Sequence, residues 1–194
     1  VKGIVRLADR TFMRNESILI FADIADLKKE IIELPNSFTI EKITKKEDLA
    51  PKDMERFLSY SHPDFIKHYI NEHFRKGAIL WVLKSDGDIV SFEWSLRGEN
   101  AIGHYFFPMT PNDVVIFDAH TWEEYRGHTY YAILVKHILM NLSKEGVTRV
   151  YTEVKARNVS GMAIINKTCL RPFGVARKFQ IKNKLITTYL TPKG

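Results

Sequence analysis

The sequence predicts an α+β domain with a mixed, mostly antiparallel sheet flanked by helices. Three observations carry this. Residues 79 to 121 form a block of short β-branched and aromatic runs separated by Gly, Pro and Asp turns. Over 114 to 154 an apolar run, a long helical pattern and a second apolar run follow one another, as a strand-helix-strand crossover requires. Two more strand patterns then close the sequence. With 194 residues, 45% hydrophobic and 27% charged, the composition is that of one globular domain, and the length argues against two of full size.

Each element has a local cause. ESILIFADI (16 to 24) and SFTIEKI (37 to 43) are rich in β-branched and aromatic residues and read as strands. A short helical or turn segment ending at Pro35 separates them, and residues 1–36 read as an N-terminal extension packed on the domain. Pro51 opens a helix where a missing N–H costs nothing, with Met54, Phe57 and Leu58 on its apolar face. A second helix follows SHPDF, its stripe made of Phe65, Tyr69, Ile70 and Phe74 and its stop of Gly77. Ile79–Lys84 and Ile89–Leu96 flank SDGD, so Asp86-Gly87 predicts a hairpin turn. Strands over Ala101–Phe107 and Val114–Thr121 continue the block around the loop PMTPND. After Arg126-Gly127 a helix runs to about Glu145 on a stripe of Tyr131, Leu134, Val135, Ile138, Leu139 and Leu142, and Gly146 ends it. TRVYTEV is a strand, SGMAIINK a short helix, and VARKFQI with LITTYL the terminal strand pair.

Composition narrows the function. Cys169 is the only cysteine, which excludes an intrachain disulfide framework and a cysteine-based zinc site. The seven histidines show no HExxH-like spacing, so no metal is expected. No run of about 18 apolar residues predicts a membrane span, and VKGIVRLADRTFMRNES lacks an uninterrupted apolar segment of signal-peptide length. The expected location is cytoplasmic. Charge is uneven: residues 1–120 hold 16 Lys/Arg and 19 Asp/Glu, residues 121–194 hold 13 and 4, and the net charge is +6. The basic C-terminal part favours a polyanionic partner. Dispersed lysines without a nucleic-acid-binding motif argue against DNA or RNA as that partner.

The segment EEYRGHTYYAIL (123 to 134) places Arg126 and Gly127 between an apolar run and a helix, an arrangement suited to an anion at a helix N-terminus. Together with its neighbours it resembles the GCN5-related N-acetyltransferases. Their pattern is a strand, a loop Arg/Gln-x-x-Gly-x-Gly/Ala opening a long helix, a second strand, then Asn and a short helix ending in Lys-x-Gly-Phe. The counterparts are VVIFDAHT, then Arg126-Gly127-His128-Thr129-Tyr130-Tyr131, the helix to Glu145, RVYTEV and NVSGMAIINKTCL. Asn158 is in place, with Lys167 nine residues on. Thr129 and Tyr131 replace the later small residues of the loop, Gly161 the usual serine, and Cys169 and Leu170 the Gly-Phe pair. Ile165 stands where many members carry a tyrosine that protonates the leaving thiolate. The resemblance covers roughly residues 79 to 190.

What the resemblance implies is an acyltransferase fold binding acetyl-CoA or another acyl-CoA as co-substrate. Its diphosphate would be held by Arg126, Gly127, His128, Thr129, Tyr130 and Tyr131, its pantetheine arm by backbone at Ala119 to Thr121, and Asn158 and Lys167 would contribute from the second block. Tyr131 is expected to lie against the sheet. The residues also nominate a base. Asp118 and His120 are two apart on a strand and should share a face, with Phe117 and Ala119 on the other, so that the carboxylate raises the imidazole's basicity. Glu93, between Ser91 and Ser95, is the second candidate and His104 the third. Trp122 is expected to touch ligand. The leading expectation is acetyl transfer to the primary amine of a small acceptor such as an amino sugar or amino acid. Three alternatives stand beside it: a long-chain N-acyltransferase using acyl-CoA or acyl carrier protein, a non-catalytic acyl-CoA-binding domain, and a nucleic-acid-binding protein.

Overall fold

The computed structural model describes residues 13–27, 34–101, 109–165, 167–181 and 184–190. The strand expected over 101 to 107, with His104, lies largely outside them. The architecture is α+β, mostly antiparallel. Its strands are β1 (Met13–Asp23), β2 (Phe38–Ile43), β3 (Ile79–Ser85), β4 (Asp88–Arg97), β5 (Asp113–Thr121), β6 (Arg149–Lys155), β7 (Arg171–Ile181) and β8 (Lys184–Leu190). The described helices are α1 (Pro51–Leu58), α2 (Pro63–Arg75), α3 (Tyr130–Lys144) and α4 (Val159–Ile165). The chain divides into two compact units: residues 23–150, and the segment before 23 together with that after 150.

In the unit of residues 23–150 the strand order is β2-β3-β4-β5, all antiparallel. The β3–β4 turn forms because Asp86 and Gly87 both take positive φ (51° and 82°), the twist that two antiparallel strands need at a two-residue connection. Strand β4 is buried almost throughout rather than alternating, since both its faces are covered. On one face Phe92, Trp94 and Leu96 join Leu80, Val82, Phe57, Ile66 and Ile70 under α1 and α2. On the other, α3 buries Leu134, Val135, Ile138 and Leu139, and the rings of Trp81 and His137 meet edge to face at 6.3 Å.

The stripe assigned to α2 is corrected at its first turn: Ile66 and Ile70 are buried, whereas Phe65 is 58% exposed. Positions 66 and 70 are one helical turn apart and face the sheet, which turns position 65 outward. Helix α1 is pinned by charge as well as by Phe57. Lys84 Nζ donates to Asp53 Oδ2 and to Glu41 Oε2, each at 2.7 Å, tying β3 to α1 and β2. Lys84 and Asp53 are both buried.

The other unit has the order β6-β1-β7-β8. Strand β1 runs antiparallel to β7, with Ser17 opposite Ala176 and a shift between Leu19 and Ile20. Phe21, Tyr151 and Phe173 form an aromatic cluster, and Arg171 lies over the Phe21 ring at 5.0 Å. Helix α4 starts on a side-chain cap: the N–H of Gly161 donates to Asn158 Oδ1 at 3.0 Å. A Cβ on Gly161 would stand 2.8 Å from Asn158 Nδ2 and 2.9 Å from Val154 Cγ1, so glycine suits the close packing here. Ile165 is buried in this unit.

Candidate active site

A bulge in β5 organises the site. Phe92 of β4 faces His120, while Trp94 faces Phe117, so two steps on β4 match three on β5. Asp118 takes up the extra residue with φ +54°, a left-handed conformation that a non-glycine residue adopts at a cost. The bulge overturns the alternation expected along this strand. Cross-strand partners point the same way, so Phe117 and His120 both face the α1–α2 side with Trp94 and Phe92. Asp118 reaches that side too, its Oδ2 accepting the Tyr69 hydroxyl at 3.0 Å. Ala119 is exposed.

The neighbours of Asp118 come from α2. His73 Nε2 stands 3.4 Å from the same carboxylate oxygen, and the His73 Nδ1–H donates to the Tyr69 carbonyl at 2.8 Å. Burial first, then the Asp118 charge and hydrogen bond, push the Tyr69 hydroxyl far up, so it stays protonated and donates.

His120 sits among rings: Tyr60 at 4.3 Å, Trp122 at 5.1 Å and Phe92 at 5.9 Å between centroids. Its pKa is held below the ordinary 6.5 by burial, then by Arg126 and Arg56, with Glu124 pulling the other way. The rise in basicity expected from a carboxylate is therefore reversed, and His120 is neutral at pH 7. Arg56 lies over the Trp122 ring at 4.7 Å and pairs with Glu124. Trp122, expected at the ligand, is instead buried in the core against Phe57 and Phe92, because residue 122 still hydrogen-bonds to β4 through Val90.

Glu93 faces the opposite side of the sheet. It is 1% exposed, accepts the Tyr131 hydroxyl at 2.9 Å on Oε1 and, among the described residues, has no partner on Oε2. Burial pushes its carboxyl up to about 8, against which the Tyr131 bond pulls down. Burial thus favours the protonated form of Glu93 at neutral pH. Its flanking serines are also used internally: Ser95 Oγ accepts Trp81 Nε1–H at 2.8 Å, and Ser91 Oγ donates to the His120 carbonyl at 2.9 Å while meeting Thr121 Oγ1 at 2.9 Å.

The loop after β5 makes a short turn at Glu123–Tyr125 before α3 begins at Tyr130, three residues after Gly127 rather than directly at it. Gly127 has φ +83°, which no continuing helix accommodates, and nothing stands within 4 Å of its Cβ position. Arg126 is exposed and donates Nε–H to the Thr121 carbonyl at 3.1 Å. Thr129 is the helix N-cap, yet its side chain makes no capping bond. His128 stacks on Tyr130 at 4.9 Å, and Tyr131 points down to β4 as expected. Asn158 and Lys167 belong to the other unit, where Asn158 caps α4 and Lys167 is exposed.

Sequence reasoning did not bring Arg56, Tyr60, Tyr69 and His73 to the side of Asp118 and His120. The available signal was Tyr60 in the α1–α2 connection, SYSHPDF, an aromatic residue that neither helix stripe uses. Among the described residues, no helix is long and apolar enough to cross a membrane.

No protein-family model and no curated protein matches the sequence. Solved structures do. The chain is similar to a GCN5-related N-acetyltransferase from Sphaerobacter thermophilus, with TM-score 0.63 at 12% identity over 100% of this chain and 58% of that one. It is similar to an acetyltransferase of the GNAT family from Colwellia psychrerythraea, with TM-score 0.62 at 11% identity over 93% and 57%. A third similar structure is the GCN5-related glucosamine N-acetyltransferase region of a fungal multi-domain GH3 beta-N-acetylglucosaminidase, with TM-score 0.62 at 13% identity over 96% of this chain and 22% of that one. The chain spans less than two thirds of each of these solved chains.

Proposed function

We propose that this chain, which has the fold of the GCN5-related N-acetyltransferases, is a CoA-dependent N-acyltransferase that moves an acetyl group to the primary amine of a small-molecule acceptor. The observation that carries this is the start of α3. The first N–H groups of a helix lack intrahelical acceptors and carry the positive end of its dipole. Here the Thr129 side chain leaves them uncapped, Gly127 stands in open space, and Tyr131 is turned down to the sheet rather than across the helix end. A CoA diphosphate fits that set of donors. Arg126 and the N–H groups from Gly127 to Tyr131, including those of His128, Thr129 and Tyr130, would hold it, and the backbone of Ala119 to Thr121 would offer the pantetheine amides a strand to pair with.

CoA supplies an acyl group already activated as a thioester. Residues of the chain do the rest. His120, neutral at pH 7, takes a proton from the acceptor's ammonium directly or through water. Across the transfer the acceptor nitrogen loses two protons, one through His120 to solvent and one to the departing sulfur, as the C–N bond forms and the C–S bond breaks. Asp118 fixes Tyr69 beside this face of β5. Glu93 acts as a positioning residue, holding the Tyr131 ring clear of the loop.

Thermal unfolding with and without acetyl-CoA tests the assignment. A ligand that binds the folded state alone stabilises it by about 2.7 kcal/mol at a hundred times its Kd, so a clear rise in Tm is expected. Arg126→Ala should keep the unliganded Tm and lose most of that rise. An equal rise in the variant would remove the diphosphate assignment.

A further inference from the structure

We propose that β8 is a self-pairing edge, through which two copies of the chain associate by antiparallel pairing of their β8 strands about a two-fold axis at Thr188. The inference stands apart from the acyltransferase function above and holds or fails without it.

Among the described residues β8 pairs only with β7, and it ends the strand order of its unit. A strand at the edge of a sheet offers its backbone to any further strand, and edges that remain alone carry charges, prolines or bulges. The edge strand of the other unit, β2, follows that rule: it contains Glu41 and Lys42, and Lys42 is exposed. Residues 185–190 of β8, LITTYL, hold no charge, proline or glycine. Their pairing with β7, from Gln180↔Leu185 to Val175↔Leu190, runs without a register shift, so no bulge turns this edge away.

The side chains of β8 alternate between two faces. Tyr189 is half-buried and stands opposite Ala176 of β7, itself opposite Ser17 of β1, and both of these are buried. Ile186, Thr188 and Leu190 take the other face, where Ile186 is 45% and Leu190 49% exposed and Thr188 is exposed between them. Leu190 stands opposite Val175, which stands opposite Ile18, so the apolar strip continues inward across three strands. Arg177, opposite Thr188, is ion-paired with Glu16, which leaves that position neutral toward a second copy.

Symmetry selects a second copy over an unrelated strand. Ile186 and Leu190 lie at equal distances on either side of Thr188. An antiparallel pair about an axis at Thr188 sets Ile186 against Leu190 of the second copy, twice over, and the two Thr188 hydroxyls against each other. The same patch then serves both copies, as a closed two-fold dimer requires. Moving the axis to Thr187 sets Ile186 against Thr188 and Leu190 against Lys184, and both apolar pairs are lost. A partner strand of unrelated sequence places no such demand on the spacing.

Sedimentation velocity on the full chain across concentration reads the association. One strand pair, about 24 Å long, lies at the small end of specific interfaces, so a dissociation constant of roughly 10–100 μM is expected. Thr188→Lys, at an exposed position, sets two ammonium groups against each other and should weaken association about fivefold or more, and Thr188→Glu should do the same with two carboxylates. Mixed in equal amounts, the two variants should dimerise again, because each Lys then faces a Glu. Thermal unfolding at about 1 μM, where the parent is monomeric at that affinity, should match the parent for both variants, since neither touches the β7 side of the strand. A parent that stays monomeric up to about 500 μM overturns the proposal, as does a dimer indifferent to both charges or a mixture of the two variants that remains monomeric.

Discussion

His120 and Glu93 lie near each other in the fold and carry opposite shifts, each with burial as the leading cause. A buried base resists gaining charge and a buried acid resists losing it. For His120 the acid limb of kcat/KM should therefore fall below the ordinary histidine value of 6.5. His120→Ala should abolish that limb and lower the rate by about a hundredfold or more. An unchanged rate and profile would remove His120 as the base. Glu93 makes a prediction about stability. Its folded pKa, about 8, is above the ordinary 4.5, so between those values the folded protein holds a proton that the unfolded chain has lost. The contribution is full below 4.5 and is lost as pH rises to about 8, amounting to roughly 3–5 kcal/mol. Glu93→Gln keeps an acceptor for Tyr131 and removes this titration. Its Tm relative to the parent should therefore climb from pH 5 to pH 8.5, and parallel curves would mean that Glu93 is not held protonated. Spacing nominated both residues but gave no sign of either shift, because burial depends on the partners α1, α2 and α3 rather than on neighbours along the strand.

Among the elements, α1 shows how one charge can hold a helix whose apolar face is short. Of its eight residues, Phe57 is the buried apolar anchor, and Asp53 is buried only because Lys84 reaches it from β3. Lys84→Met would leave the Asp53 carboxylate buried without its main partner and should cost about 3–5 kcal/mol in denaturant unfolding. Adding Asp53→Leu should recover most of the loss, since an apolar pair of similar volume replaces a buried ion pair at little net cost. A double variant as unstable as the single one would show that the salt bridge is not what limits α1. Most elements were legible because their causes are local: Pro51 and Pro63 at helix starts, Asp86-Gly87 at the turn, and the stripe of α3. The bulge at Asp118 was not. Nothing in VVIFDAHT distinguishes a strand with an extra residue from a regular one, since the extra residue is set by pairing with β4. For the same reason, the face assignment built on strict alternation failed at Phe117.

At the scale of the molecule, the α+β class and the order of its elements followed from patterning, and the acyltransferase fold from the succession of loop, helix, strand and Asn. The surroundings of Asp118 and His120 did not, because Arg56, Tyr60 and Tyr69 come from one segment and Asp118 and His120 from another some fifty residues on, and only the folded sheet brings them together. The pairing of β1 with β7 carries a consequence for biosynthesis. Glu16 and Arg177 are joined across 161 positions by an ion pair, whereas β3 and β4 meet through a two-residue turn. On a ribosome adding about 5–20 residues per second, β1 emerges roughly 10–30 s before the strand that completes it. Residues 23–150 are contiguous and can collapse in that interval, while the nascent β1 presents an unpaired apolar edge. An unpaired strand edge templates pairing with another strand, so β1 is the segment by which crowded nascent chains would first associate.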